Sequence, residues 1–517
     1  GLAVPMPAQA FGIIDAIMHG FLGHLLADLT NSDGPTTAVI SLPRLLRAPP
    51  PSLSPRSSLV AIFRDRAEQL TSGRAHQLFY AYPWLAHMPT PTEFRHTSIP
   101  DVAASLARTV QHQPPGRALA MINGEPYLPP TAHTRNLTLT LFPHGDNPDL
   151  DEDALPAAAL RHLPDPANLG RGFMHHQPTE QRKVVLDWMK HLKANPPGAP
   201  CGTGFDAAMV CLPRLPLSAV RLCLWLHTVL RCRTTAAVRR LNRTNTLNLK
   251  SKRDKQTGLL PATPAHATSG RPLGRCFIIR RLVAGFLARH LTRHHAPLYR
   301  RVNQWGLLPA GLETAGRQAL LHIQSKPPEY CCAGTDFKNA HCAIGRMPIY
   351  LLIRSIFARS KHPLDHLFLL YFLAHYSAAG TIYIQVGNDL EAFLQTDALN
   401  QGEAAASHFF GLTAAVVMHM VFTTAAAMAP LDLVLIWVHD DASLITRALS
   451  LLAIDLARAN NEPSPDEPSV DTPLPFAIQR FTILALQHLR LTIALPKTIV
   501  YQPPPPPGPP APLRPLP

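Results

Sequence analysis

Asp440 and Asp441 lie between two apolar runs, Leu433-Val-Leu-Ile-Trp-Val-His439 and Ala442-Ser-Leu-Ile445. Apolar runs on either side of a two-residue acidic turn read as a β-hairpin. On its own, an acidic pair at such a tip is an ordinary surface turn. Upstream, Glu329-Tyr-Cys-Cys-Ala-Gly-Thr335 reads as a short apolar strand ending at Asp336, followed by Phe337-Lys-Asn-Ala-His-Cys342. A carboxylate at a strand end and a second acidic site on a hairpin tip can together hold two divalent cations. Nucleotidyl transfer uses that arrangement: one cation lowers the pKa of the attacking hydroxyl, and the other neutralises the triphosphate and leaving pyrophosphate. Mg²⁺ takes hard oxygen ligands and keeps several waters, so two or three carboxylates plus substrate phosphates suffice. Mn²⁺ is the alternative ion.

The bulk composition bounds what can surround these residues. The 517 residues are 46% hydrophobic but only 16% charged, with 54 prolines, so a sizeable core coexists with long connecting segments. The net charge of +14 is unevenly spread: residues 161–324 carry 26 Lys and Arg against 6 Asp and Glu, more than the whole excess. A basic segment of this kind suits a polyphosphate partner, because neutralising phosphates releases condensed counterions. The eight cysteines form no C-x-x-C pair, which excludes a zinc-ribbon reading and fits thiols in a reducing compartment. No secretory signal opens the chain. Phe409 to Met428 is long enough to cross a bilayer. The Ala and Thr content of the uncharged stretch from Ala404 to Pro430, its His408 and His419, and the lack of flanking basic residues favour a buried helix instead.

Residues 1–150 hold short apolar stretches broken by proline clusters, and the acidic Asp149–Asp153 patch reads as a linker. Helical periodicity begins near Thr179, with Val184, Val185, Trp188, Met189 and Leu192 on one face, and stops at Pro196-Pro197-Gly198. A second helix is predicted from Leu217 to Leu241, and a third from Cys276 to His294 with Ile279, Leu282, Val283, Phe286, Leu287 and Leu291 on one stripe. From Tyr330 on, short strands alternate with helices, as in an α+β domain. The tail from Gln502 is mostly proline and predicts an extended polyproline II segment.

With these elements in place, the chain resembles the reverse transcriptases of non-LTR (LINE-type) retrotransposons. Asp336-Phe-Lys-Asn-Ala340 is similar to the D-F-x-x-A of the first palm motif. Asn400-Gln-Gly-Glu403 with Phe409-Phe410 resembles Q-G-D-P-L-S-P-L-L-F, and Val438-His-Asp-Asp441 stands where the family has Y-A-D-D. Leu491-Thr-Ile-Ala-Leu-Pro-Lys497-Thr498 is similar to the following G-L-x-x-N-x-x-K-T. In the fingers, Arg271-Pro-Leu273 resembles R-P-I, Gln304-Trp-Gly-Leu-Leu-Pro309 resembles Q-x-G-F-x-P, and Leu247 to Lys250 occupies the L-x-x-x-K strand. The matched span runs from about 185 to 500, and its strength lies in the order of the motifs rather than in any single one.

The resemblance implies an α+β, right-hand polymerase fold with fingers and palm, an antiparallel sheet backed by helices, and the thumb absent or truncated. It divides the chain into a Pro-rich region of unknown role (1–160), basic helical fingers (161–325), a palm (326–501) and a proline tail (502–517). It implies an RNA-directed DNA polymerase using two Mg²⁺ ions, with an RNA template, a DNA primer and deoxynucleoside triphosphates as partners. The expected setting is intracellular, in cytoplasm and nucleus, with no membrane. Asp336, Asp440 and Asp441 would be the metal ligands; Gln401 and Gly402 would line the template–nucleotide pocket. Arg271 and Lys250 would contact the triphosphate, and Lys497 the pyrophosphate. His341 stands where the family has the Phe or Tyr that excludes a ribose 2′-hydroxyl. Val438 replaces the aromatic of Y-A-D-D, and Ala404–Ala406 replace the P-L-S turn. The alternative is a decayed retroelement remnant that binds nucleic acid without chemistry.

Overall fold

Helices form where apolar residues recur at helical spacing without an intervening proline. The computed structural model describes residues 10–28, 128–142, 178–194, 215–251, 270–325, 330–423, 433–447, 473–494 and 498–501, with isolated positions between 39 and 72 and without 233, 358, 359, 361 and 388. The first helices are α1 (Ala10–Ala27), α2 (Ala132–Leu141), α3 (Pro178–Ala194), α4 (Ala219–Leu230) and α5 (Ala236–Asn242). Strands β1 (Asn245–Ser251) and β2 (Gly270–Cys276) follow. Next come α6 (Ile278–His294), α7 (Ala296–Arg301), α8 (Gly311–Ser325), β3 (Tyr330–Thr335), α9 (Ala340–Ala343), α10 (Arg346–Phe357) and α11 (Pro363–Tyr376). The remainder is β4 (Gly380–Val386), β5 (Asp389–Gln395), α12 (Ala404–Met418), β6 (Val434–Val438), β7 (Asp441–Arg447), α13 (Pro473–Leu489) and β8 (Ile499–Tyr501).

The single helix predicted over 217–241 is two helices. Cys232 adopts φ 55°, which ends the first. Thr235 then starts α5, its side chain accepting from the Val238 amide at 3.3 Å, as an N-cap threonine does. The acidic patch at 149–153 and the tail from 502 lie outside the described residues.

The α+β chain forms two compact units, and neither is contiguous: Gly1–Phe286 with Leu370–Thr396, and Leu287–Leu369 with Asp397–Pro517. The chain changes unit inside α6 and again inside α11. In the first unit a four-stranded sheet runs β2-β1-β4-β5, antiparallel except where β1 meets β4. Along β1, Asn245, Leu247 and Leu249 are buried while Thr246, Asn248 and Lys250 are half-buried, the alternation of a strand with one covered face. Trp188 of α3 is fully buried and stacks on Phe286 of α6 at 4.0 Å. Asp15 of α1 is buried because it accepts from the Leu217 and Ser218 amides, both at 2.8 Å, just ahead of α4.

In the second unit an antiparallel sheet runs β6-β7-β3-β8. Residues of α8 (Ala315, Ile323) pack with Tyr330, Ile436 and Ile445 on one face. Cys331 and Ala333 of β3 meet Ile478 of α13 on the other. The six described cysteines carry thiols. Helix α12, continued by a π-helical turn (His419–Thr423), is long and apolar enough to cross a membrane. Yet 72% of its most apolar window is buried, against α10, α13 and β6.

A polar clasp joins helix ends in this unit. Oδ1 of Asp365, in the first turn of α11, meets Nε2 of His295 at 2.7 Å and of His294 at 3.0 Å, and Ser360 Oγ donates to Oδ2 at 2.6 Å. Burial raises the Asp365 pKa, but the hydrogen bonds from His295 and Ser360 and the charges of His295 and His294 outweigh it and hold it at about 2, against 3.8 ordinarily. A carboxylate depressed in the folded state contributes stability above its unfolded pKa and loses it as pH falls through the folded one. Asp365 should therefore supply about 2 kcal/mol, at roughly 1.4 kcal/mol per pKa unit, that disappears between about pH 4 and pH 2. Urea denaturation of wild type and Asp365→Asn across that range should show a stability gap that closes toward pH 2; a gap that stays constant would refute this account.

Candidate active site

Pairing registers fix the three aspartates before any side chain is considered. Strands β3 and β7 pair from Tyr330↔Arg447 to Thr335↔Ala442. One step beyond that last pair, Asp336 comes opposite Asp441, which itself pairs with Val438 across the β6–β7 hairpin. The turn is one residue earlier than expected: His439 and Asp440 form it, and Asp441 begins β7. His439 has φ 57° while Asp440 does not have positive φ. Positive φ at the first central position is the backbone of a type II′ turn, whose usual residue there is glycine.

Such a turn needs a brace, and Gln304 supplies it. Its side chain is fully buried. Oε1 accepts from the His439 amide at 3.1 Å, and Nε2 donates to the His439 carbonyl at 3.1 Å and the Gly411 carbonyl of α12 at 3.2 Å. Oε1 also accepts from Gly306 N at 3.2 Å. Beside it, Trp305 N donates to Trp437 O and Trp437 N to Asn303 O, both at 2.9 Å, so residues 303–305 run along β6. A Cβ on Gly306 would lie 2.2 Å from His439 N, so only glycine allows this approach.

Phe337, next to Asp336, anchors the strand end from below. It is buried, stacks at 6.1 Å on Trp437 and 6.0 Å on Phe481 of α13, and meets Phe410 of α12 edge-on at 6.4 Å. Residues 491–494 run alongside: Ala494 N donates to Asp336 O at 2.7 Å, Lys338 N to Thr492 O at 2.8 Å, and Phe337 bridges Ile493. The segment carrying the expected Lys497 is thus laid against Asp336, although Lys497 lies outside the described residues.

Gln401 and Gly402 form the turn before α12, with Gly402 at φ 99°. The loop is held by Asp397, whose Oδ1 accepts from Arg346 N at 2.7 Å and Ala398 N at 2.9 Å, while Arg490 contacts Oδ2 at 3.3 Å. Leu399 N donates to His341 O at 2.7 Å, which ties the loop to α9. Ala404–Ala406, expected as a loosened loop, are the first turn of α12. The His341 ring stacks on Phe410 at 4.9 Å. Burial lowers its pKa; the Asp440 charge works against this and His439 adds to it, so the ring is neutral at neutral pH.

Lys250 and Arg271 are direct cross-strand partners in β1 and β2 of the first unit. Among the described residues, only His294, His295 and Asp365 bring three metal-ligand atoms within 4.8 Å of one another. Asp336, Asp440 and Asp441 do not form such a group. A pair of ions about 4 Å apart, each about 2.1 Å from its oxygens, spreads its ligands over a wider span than one ion does.

No protein-family model and no curated protein sequence matches the chain.

Asp336, Asp440, Asp441, His341, Gln401 and Gly402 share one unit, and Lys250 and Arg271 share one hairpin of the other. Gln304 and Asp397 were not singled out beforehand as site residues. Only the glycine two positions after Gln304 hinted at a close backbone approach. Gln304→Met keeps the length of the side chain and removes its donor and acceptor. It should leave the His439 amide and carbonyl and the Gly411 carbonyl without their partner, at roughly 1–3 kcal/mol per buried group. A fall in thermal midpoint clearly larger than that of the exposed control Arg317→Ala is expected; equal midpoints would show that the brace contributes nothing.

Proposed function

We propose that the chain is an RNA-directed DNA polymerase of the non-LTR retroelement type, with the antiparallel sheet of the second unit as its palm and β1–β2 as the phosphate-facing part of its fingers. The observation that carries this reading is the register β6-β7-β3, which sets the end of the Asp336 strand opposite the His439–Asp440 turn. The Gln401-Gly402 loop and the 491–494 segment flank it in the order the motifs have in the sequence.

Asp336, Asp440 and Asp441 offer only hard oxygen donors, which fits Mg²⁺ and disfavours softer ions. When bound there, two Mg²⁺ ions would activate the primer 3′-hydroxyl and neutralise charge on the leaving pyrophosphate. The chain's residues do the rest. Gly402, without a Cβ, lets template and nucleotide approach the backbone of the loop. Lys250 and Arg271 supply paired cations for the triphosphate, and Lys497 is proposed for the pyrophosphate. His341 offers a neutral planar face, held by Phe410, beside the sugar. Its smaller ring would reject a ribose 2′-hydroxyl less stringently than Phe or Tyr. RNA template, DNA primer and deoxynucleoside triphosphates are the proposed partners, in cytoplasm and nucleus. The 54 prolines and the altered motifs at His341, Val438 and Ala404–Ala406 favour a second reading, a remnant that binds nucleic acid without turnover.

Primer extension on an RNA template with Mg²⁺ separates the two. Wild type should extend, and Asp440→Asn should extend roughly 10²–10³-fold more slowly at an unchanged thermal midpoint, because several kcal/mol of charge stabilisation depend on the ligand. No product from wild type, with RNA bound but no Mg²⁺- or Mn²⁺-dependent nucleotide binding that Asp336→Ala abolishes, would replace the polymerase with the remnant. Extension that Asp440→Asn leaves unchanged would remove these aspartates from the reaction.

A further inference from the structure

The sheet-end carboxylates are not the only groups here arranged like metal ligands. His294 and His295 close α6, Asp365 opens α11, and their ligand atoms lie within 4.8 Å of one another. Consecutive histidines rarely aim both rings at one atom, yet both Nε2 atoms converge on Oδ1 of Asp365, at 3.0 and 2.7 Å. We propose that His294, His295 and Asp365 form a second, independent cation site, selective for a late first-row divalent ion such as Zn²⁺.

Donor chemistry selects the ion. Two imidazole nitrogens and one carboxylate oxygen suit Zn²⁺, Co²⁺ or Ni²⁺, whereas Mg²⁺ and Ca²⁺ favour all-oxygen sets. Zn²⁺ sits about 2.0–2.1 Å from nitrogen or oxygen ligands, so tetrahedral ligand atoms are about 3.3–3.4 Å apart. The two spacings to Oδ1, 3.0 and 2.7 Å, need to open by about 0.3–0.7 Å. On binding, each Nε2 gives up the hydrogen it shares with Asp365 and offers its lone pair, and the neutral ring keeps its one proton on Nδ1.

The surroundings hold these ligands in place. The His295 ring stacks on Phe357 at 4.8 Å and 4° and meets Phe368 edge-on at 5.7 Å. The His294 ring stacks on His362 at 3.7 Å. Ser360 Oγ occupies Oδ2 of Asp365 and leaves Oδ1 for the ion, the kind of outer support that metal-ligating carboxylates receive. His295 is almost fully buried, but the His294 side chain is 27% exposed, so an ion can enter from that side and complete its coordination with water. One feature limits affinity. Nδ1 of His295 is buried without a hydrogen-bond partner, and a missing outer partner typically costs 10–100-fold in metal affinity. The site should therefore be weaker than a fully supported zinc centre by about that factor.

An ion here would staple the end of α6 to the start of α11 by coordination instead of by hydrogen bonds alone. Its ligands are separate from the aspartates of the proposed polymerase site, so it stands whether or not that reading does.

The test uses the full chain, stripped with chelator and titrated with Co²⁺ alone and then Zn²⁺. One equivalent of Co²⁺ should give visible d–d absorption that Zn²⁺ displaces, and Zn²⁺ should raise the thermal midpoint. His294→Ala, at the exposed ligand, should keep the wild-type circular dichroism spectrum and lose both signals; Asp365→Asn should weaken Co²⁺ binding at least tenfold. Folded wild type with no absorption and no midpoint shift would show a hydrogen-bonded clasp only. Signals that survive in His294→Ala would assign the metal to other residues, and either result overturns the proposal.

Discussion

The second unit is organised around one side chain that satisfies the backbone of a strained turn. At the hairpin tip His439 takes φ 57°, a conformation that costs a non-glycine residue of order 1–3 kcal/mol and persists only where its surroundings impose it. Gln304 imposes it by engaging both the amide and the carbonyl of His439. A primary amide is the one uncharged side-chain group that donates and accepts at this reach. Glutamate would lack the donor and methionine both partners. The same Nε2 also holds the Gly411 carbonyl, so the hairpin tip cannot shift without disturbing α12. The position of Asp440 is thus set by a residue 136 places upstream in the chain.

The second constraint is electrostatic. Carboxylates gathered at one sheet end repel each other, so they remain neighbours only if the backbone beneath them is stiff. Phe337 provides that stiffness from the apolar side, with Trp437, Phe481 and Phe410 around it from β6, α13 and α12. The 491–494 segment adds two backbone hydrogen bonds to residues 336–338. Charge repulsion at the surface is opposed by aromatic packing below, and the strand end carrying Asp336 lies where the two meet.

What could be read in advance follows from how local each signal is. The strand ending at Asp336 and the hairpin carrying Asp440 were legible because alternation and a turn occupy adjacent residues. Lys250 and Arg271 were named separately, and the register then made them direct partners. The turn was misplaced by one residue because an Asp pair is a better turn former than His-Asp; the buried amide of Gln304 reversed that preference. Local propensity also failed at 231–235, where Thr235 capped a new helix inside what read as one apolar stretch. Asp397, Gln304 and the His294–His295–Asp365 clasp could not be found this way. Each depends on partners about 50 to 135 positions away, and single polar residues carry no period.

Helix α12 shows why composition alone misleads. A run without charge, long enough to span a bilayer, is what a helix needs when it has no outward side. His408 hydrogen-bonds Tyr299 at 2.7 Å, Phe409 stacks on Phe368 at 4.4 Å, Phe410 carries His341, and Gly411 presents its carbonyl to Gln304. Four successive residues span a full turn and so face four directions. Each direction already has a partner. Burial lowers the His408 pKa to about 3, so even its one titratable group stays neutral and serves as an acceptor for the tyrosine hydroxyl. A charged residue at any of these positions would lose its hydration without gaining a counter-ion. The uncharged stretch is therefore what a central helix requires when the brace of the hairpin, the wall of the His341 site and the packing of α7 and α11 all converge on it.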